Sequence, residues 1–126
     1  MSLHAMPVRR GPKIARDGRE RLLMFPNKHL GGSRFYALGY ADGRSKIGIC
    51  ASPRDRLLQH WVASNGAVTW VHLFAGVVES RLAKSIEREA CARAALLGAR
   101  VRRTETFAGL TRDQVLQCVR AALAAA

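Results

Sequence analysis

Residues 34–50 read RFYALGYADGRSKIGIC, and this stretch decides the fold. Aromatic and apolar side chains in residues 34–41 predict a strand, and residues 44–50 predict its partner. Asp42 and Gly43 lie between the two and are a strong signal for a two-residue turn, because both positions tolerate a positive φ. The stretch therefore predicts an antiparallel hairpin.

The length of the turn determines which side chains share a face of this hairpin. With a two-residue loop, Leu38 faces Ile47 and Tyr36 faces Ile49 across the two strands. Side chains alternate between the faces of a strand, so these four residues would lie on one side of the sheet. The register therefore predicts a single apolar face built from all four.

The rest of the domain follows from helix caps and apolar runs. Ser52 can cap a helix that Pro53 suits at its first position, and Thr111 with Gln114 resembles a capping box. The predicted elements after the hairpin are a helix at 52–62, a strand at 67–75, a helix at 79–97, a basic loop at 99–110 and a helix at 111–123. The order β-β-α-β-α-α predicts an α+β domain over residues 34–126, with a small three-stranded antiparallel sheet flanked by helices.

The first 33 residues differ in composition from this domain. Residues 1–28 hold seven of the basic residues and three of the four prolines, with little apolar periodicity. They predict a flexible basic N-terminal arm over residues 1–33, with a short helix at 17–24. Gly31, Gly32 and Ser33 separate this arm from the domain.

The charge of the chain predicts a polyanionic partner. Lys and Arg total 21 against 9 Asp and Glu, which gives a net charge of +12. A positive field of this strength attracts nucleic acid first. We expect DNA to bind through its phosphates, without strong sequence preference, at the arm and at residues 100–103. The alternative is a solvated tail that only keeps the protein soluble.

Length and cysteine content exclude several classes of protein. One domain of 126 residues can bury enough surface to fold without disulfides or metal. Three cysteines without a C-x-x-C pair argue against a disulfide framework or a zinc ribbon, and favour a reduced, cytoplasmic protein. The longest apolar run, residues 67–78, is too short to cross a bilayer, and no signal peptide opens the chain. We therefore expect no membrane partner.

Two residues of the helix predicted at 52–62 suit phosphodiester chemistry. Arg56 and His60 are four positions apart and therefore lie on one flank of the helix. An arginine can neutralise a phosphate through two hydrogen bonds, and a histidine can move a proton near neutral pH. The alternative is that both are ordinary solvated surface residues.

The long helix carries a candidate metal ligand. On a helical wheel that starts from Leu82, Glu89 falls within the apolar stripe beside Ile86, whereas Glu87 falls outside it. A buried carboxylate needs a partner. That partner is either Arg93, four residues later, or a divalent cation such as Mg²⁺ or Mn²⁺. The periodicity leaves both readings open.

Three short motifs together resemble the GIY-YIG endonuclease superfamily. They are Phe35-Tyr36-Ala37, Lys46-Ile47-Gly48 and Arg56-x-x-x-His60, and they are most similar to the phage, plasmid and bacterial branch, whose second motif often reads K-I-G. Tyr36 precedes Ile47 by 11 positions and Gly48 precedes Arg56 by eight, as in the family. Glu105-Thr106-Phe107 matches the E-x-F element of that branch. The resemblance covers residues 34–107, about 60% of the chain.

The resemblance implies a metal-dependent DNA endonuclease with an extra C-terminal helix. Glu89 would hold a single Mg²⁺ or Mn²⁺ ion and Arg56 the scissile phosphate, while either Tyr36 or His60 would orient or deprotonate the attacking water. The basic residues expected to contact DNA are Lys46, Arg54, Arg100, Arg102 and Arg103.

One departure from the family favours other functions. Ile47 stands where classical members carry a second tyrosine near the attacking water. The alternative is a non-catalytic DNA-binding accessory module on the same fold. A third interpretation is a basic partner-binding protein in which Arg56, His60 and Glu89 are only structural.

Overall fold

The central hairpin forms as the sequence predicts, inside a larger sheet. A computed structural model describes residues 6–7, 12–28, 31–102 and 104–126. Within these ranges the elements are β1 (Met6–Pro7), α1 (Pro12–Leu23), β2 (Arg34–Tyr40), β3 (Ser45–Cys50), α2 (Pro53–Ala63), β4 (Val68–Leu73), α3 (Ser80–Leu97), β5 (Ala99–Arg100), β6 (Thr106–Ala108) and α4 (Arg112–Ala124). The α+β class is confirmed.

The predicted three-stranded sheet was wrong in its size. The strand order is β1-β4-β2-β3-β6-β5, and every neighbouring pair is antiparallel. The three predicted strands form its centre. Residues 99–110, predicted as a loop, supply a small hairpin that pairs with the start of β3. A strand edge left open exposes unpaired backbone groups, and this hairpin covers half of the β3 edge.

The turn of the central hairpin has three residues rather than two. The Tyr40 backbone N–H donates to the carbonyl of Arg44 at 2.8 Å, and the Gly43 N–H donates to the carbonyl of Tyr40 at 3.0 Å. Gly43 has a φ of 89°. A turn that ends in a left-handed glycine is the common three-residue hairpin loop.

The extra turn residue shifts the predicted register by one position. Tyr36 pairs with Gly48, and Ala37 pairs with Ile47. The prediction that Tyr36 and Ile47 share a face was therefore wrong, since a shift of one residue moves a side chain to the opposite face. Ile47 is fully buried on one side of the sheet, and Tyr36 is fully buried on the other.

Helices cover both faces of the sheet. α3 and α4 pack against the face that carries Phe35 and Ile47. α2 packs against the opposite face, where Leu57 and Trp61 join Tyr36 in a second apolar cluster. The capping box predicted for the last helix is confirmed at its start. No helix among the described residues is long and apolar enough to cross a membrane.

Part of the segment expected to be a flexible arm is folded against the domain. Its short helix, predicted at 17–24, overlaps the end of α1, and Leu22 and Phe25 are buried in the cluster beneath α2. The backbone N–H of Arg54 donates to the carbonyl of Pro26 at 3.2 Å. Residues 18–28 therefore contribute to the fold, and the remainder of the arm includes residues 1–5, 8–11 and 29–30, which lie outside the described residues.

Candidate functional site

The second half of β3 borders a cleft between the two helical layers. β6 pairs only with Ser45 and Lys46, at the N-terminal end of β3. Beyond that point α2 and α3 flank the strand, and a cleft of about 460 Å³ opens between them. We call it the β3 cleft; it is lined by Tyr36, Lys46, Gly48, Ile49, Arg56, Lys84, Glu87, Arg88, Cys91, Arg100 and Glu105. One concave surface therefore collects residues from five elements and one loop.

Gly48 allows Tyr36 to reach this cleft. The two residues are cross-strand partners, and the tyrosine ring lies directly over the glycine. A Cβ atom at position 48 would collide with the ring and the hydroxyl of Tyr36. Glycine is therefore required at this position of the K-I-G motif, because any larger residue would clash with Tyr36.

The Tyr36 hydroxyl forms a short hydrogen bond with His60. The Oη–Nε2 distance is 2.6 Å, with the direction of donation set by the histidine tautomer. Burial raises the pKa of Tyr36 above its ordinary range, and the nearby Arg56 opposes that change. Burial, followed by the charges of Lys46 and Arg56, lowers the pKa of His60 to about 4. The pair is therefore a neutral phenol beside a neutral imidazole at pH 7.

Arg56 and Lys46 bring positive charge to the same cleft. Arg56 is exposed on α2, four residues before His60, as its spacing predicts. The Lys46 side chain is only 16% exposed and lies 3.4 Å from a carboxylate oxygen of Glu105. A desolvated cation beside an exposed guanidinium forms a site suited to an oxyanion.

The acidic residue of α3 that lines the cleft is Glu87, not Glu89. Burial, followed by the charge of Glu105, raises the pKa of Glu87. The Glu89 side chain is 51% exposed and accepts a 2.8 Å hydrogen bond from Arg93. The burial predicted for Glu89 was therefore wrong, and the alternative salt bridge with Arg93 is confirmed.

The helical wheel failed because its reference residue does not lie in the core. Leu82 is 47% exposed. The buried stripe of α3 is rotated by about 100° from it and consists largely of small residues, namely Ala83, Ile86, Ala90, Cys91 and Ala94. Glu87 borders this stripe and Glu89 lies well away from it. The alanine periodicity is the signal that would have identified Glu87.

Glu87 and Glu105 are the carboxylates that could hold a metal ion in this cleft. Mg²⁺ is commonly bound through one or two carboxylates, with water and substrate phosphate completing its shell. Among the described residues no group of three or more His, Cys, Asp or Glu could hold a metal by itself. Within the same part of the chain, Glu87 has no salt-bridge partner. The donor set thus suits a magnesium-like ion that phosphate helps to bind.

The other predicted DNA contacts lie in different places. Arg100 lines the cleft, and its Nε also donates to the carbonyl of Thr104 at 2.7 Å. Arg54 is half-buried and does not line the cleft, and Arg102 is exposed with a φ of 54°. Arg103 lies outside the described residues. The cleft-lining residues that sequence reasoning missed are Ile49, Lys84, Glu87, Arg88 and Cys91.

Comparison with protein-family models, with curated proteins and with solved structures finds no match to this chain. A functional assignment therefore rests on the cleft itself. Its chemical features are a phenol–imidazole pair, a cluster of cations and two carboxylates.

Proposed function

We propose that this protein is a metal-dependent DNA endonuclease of the GIY-YIG type that hydrolyses phosphodiester bonds in the β3 cleft. The observation that carries the proposal is that Tyr36, Arg56 and Glu87 line one concave surface. His60 is hydrogen-bonded to the tyrosine. Three of these four residues belong to motifs of that family. Glu87 takes the place that the resemblance assigned to Glu89.

The cations of the cleft would hold the scissile phosphate. Arg56 can donate two hydrogen bonds to phosphate oxygens, and it is solvent-exposed and available to a large substrate. Lys46 lies deeper and adds a point charge in a less hydrated place. Their combined charge stabilises the additional negative charge that develops on phosphorus oxygens in the transition state.

Tyr36 and His60 would together remove the proton of the attacking water. Tyr36 lines the cleft, whereas His60 lies behind it and also lines a neighbouring cavity beside Tyr40. The water gives a proton to the phenol oxygen while the phenol gives its own proton to His60 Nε2. The water oxygen bonds to phosphorus, and the 3′ oxygen leaves with the electron pair of the broken bond and takes a proton from solvent water. A neutral imidazole is the form that can accept this proton.

A divalent ion would act at the leaving group. Glu87, with Glu105 nearby, would hold Mg²⁺ or Mn²⁺, which when bound supplies positive charge to the departing oxygen. Burial, followed by the charge of Glu105, raises the pKa of Glu87, and a divalent ion held by the two carboxylates would offset their repulsion. Ile47 does not alter this arrangement, since it is fully buried on the α3 and α4 side of the sheet.

A second candidate function is a non-catalytic DNA-binding module on the same fold. The observation that favours it is the salt bridge between Lys46 and Glu105, which gives both groups a partner without metal or substrate. The cations of the cleft would bind phosphate in either case. The two functions differ only in whether the bound strand is cut.

A nicking assay with paired glutamate variants tests the proposal. Glu87→Gln should abolish Mg²⁺- or Mn²⁺-dependent nicking of plasmid DNA and leave DNA binding nearly unchanged, because the cations remain. Glu89→Gln is the matched control on the same helix and should keep full activity, since its carboxylate lies outside the cleft.

Full activity in Glu87→Gln would contradict the role of Glu87. Wild-type protein that binds DNA and shows no nicking with either metal would establish the binding module instead. Melting curves of both variants would show that the fold is intact.

A further inference from the structure

α3 carries a row of exposed cations that begins in the β3 cleft and continues away from it. The row consists of Arg81, Lys84 and Arg88, and we call it the α3 stripe. Residues three, four and seven apart lie on one flank of a helix, so the three side chains share a direction. Lys84 and Arg88 line the cleft, and Arg81 lies one turn beyond it. With a rise of 1.5 Å per residue, the stripe is about 10.5 Å long.

The structure gives these three side chains no structural task. Within the described part of the chain, none of them takes part in a salt bridge, whereas Arg93 on another face of α3 is paired with Glu89. Like charges three and four residues apart destabilise a helix when nothing neutralises them. Glu87 offsets part of this repulsion at Lys84, and an anion bound along the stripe would offset the rest.

Continuing from the proposed function, we propose that the bound DNA strand runs from the β3 cleft along the α3 stripe. Arg88, Lys84 and Arg81 would hold successive phosphates of that strand. One strand of a duplex advances about 3.4 Å per phosphate along the duplex axis, so a stripe of about 10.5 Å that lies parallel to this axis spans about three phosphates. The substrate is therefore a polynucleotide chain rather than a small phosphodiester.

The contacts along this path read the backbone and not the bases. Tyr36 is the one aromatic side chain among the described residues that line the cleft, and it is fully buried. Strand-binding proteins that contact bases without base pairing use exposed aromatic rings as stacking platforms. Side chains that contact phosphates position the backbone and carry no sequence information directly.

Two triple variants with the same loss of charge test the stripe. The stripe variant is Arg81→Gln, Lys84→Gln and Arg88→Gln. The control is Arg93→Gln, Arg112→Gln and Arg120→Gln, three arginines that do not line the cleft, of which Arg112 and Arg120 are exposed and Arg93 is paired with Glu89. Each variant lowers the net charge of +12 by three. The measurement is the affinity for a fluorescent duplex over a series of salt concentrations.

The affinity of the stripe variant for DNA should depend less steeply on salt than that of the wild type, and the affinity of the control should keep nearly the wild-type dependence. Each lost phosphate contact reduces the slope of log affinity against log salt by about 0.9, so we expect a decrease of about 2 to 3 for the stripe and less than about 1 for the control. Equal losses in the two variants would overturn the stripe, because binding would then follow net charge alone. If the triple variant unfolds, Arg81→Gln against Arg120→Gln makes the same comparison with one contact.

The outcome separates this inference from the proposed function. Wild-type protein that neither binds nor nicks DNA would overturn both. Wild-type protein that nicks DNA, beside a stripe variant that keeps the wild-type slope, would overturn the stripe alone.

Discussion

At the scale of single residues, the contact between Gly48 and Tyr36 determines what reaches the cleft. Tyr36 is fully buried, yet its ring crosses the glycine and its hydroxyl meets His60 at 2.6 Å. A side chain on residue 48 would occupy the space of the phenol. Glycine is thus required because the Tyr36 ring approaches it closely. Its backbone lies in an ordinary strand, so a special φ is not the reason.

Replacing Gly48 by alanine should displace the Tyr36 ring. We expect a loss of about 1 to 3 kcal/mol in the free energy of unfolding, as in other overpacked cores, and a loss of nicking from protein that still folds. Urea denaturation and the nicking assay measure the two effects. Gly43→Asn is the control for nicking, because a Cβ there meets nothing within 4 Å, and asparagine is among the side chains that a positive φ such as its 89° strains least. Equal behaviour of the two variants would contradict the steric role of Gly48.

At the scale of elements, short segments complete the framework of the cleft. The hairpin of β5 and β6 covers the first half of β3 and brings Glu105 to the cleft. α1 and the turn after it insert Leu22 and Phe25 beneath α2, the helix that carries Arg56 and His60. The position of α2 therefore depends on residues that composition alone assigns to a basic arm.

Phe25→Ala tests this dependence of α2 on the N-terminal segment. Phe25 is 2% exposed, so its removal should cost about 3 to 5 kcal/mol in the free energy of unfolding. Met24 is 74% exposed, and Met24→Ala should change the same quantity by less than about 0.5 kcal/mol. Chemical denaturation of both variants provides the comparison. An unchanged free energy of unfolding in Phe25→Ala would mean that the segment does not support the domain in solution.

At the scale of the whole molecule, two histidines couple folding to pH from opposite faces of the sheet. Burial is the largest cause that lowers the pKa of His60, and also that of His72, to about 4 from an ordinary 6.5. The Nδ1 atom of His72 is buried without a hydrogen-bond partner in the described part of the chain. Both histidines therefore stay neutral in the folded protein under mildly acidic conditions.

Stability should fall as the pH drops from about 6.5 towards 4. In that window the unfolded chain takes up protons at both histidines and the folded chain does not, so the free energy of unfolding decreases. Above about pH 6.5 the histidines are neutral in both the folded and the unfolded chain, so this loss of stability is absent. His60→Gln should reduce this pH dependence, as measured by urea denaturation at a series of pH values. The same slope in wild type and variant would contradict the neutral state of His60.

The sequence by itself determined the central hairpin, the helices that follow it and the capping box of α4. It also singled out four residues that line the cleft, namely Tyr36, Lys46, Arg56 and Arg100. These depend on local signals: turn residues, caps and spacings within a few positions. His60 was also identified in advance, although its bond to Tyr36 was not.

Only the tertiary structure decided the hairpin register, the small β5–β6 hairpin and which glutamate of α3 lines the cleft, Glu87 rather than Glu89. One extra residue in a turn exchanges the two faces of a strand, and composition does not reveal it. The buried side of α3 is decided by what packs against it, and small alanines pack there while Leu82 is exposed. Residues far apart in the chain become neighbours through such packing, so the cleft and its carboxylates are properties of the fold and not of any one segment.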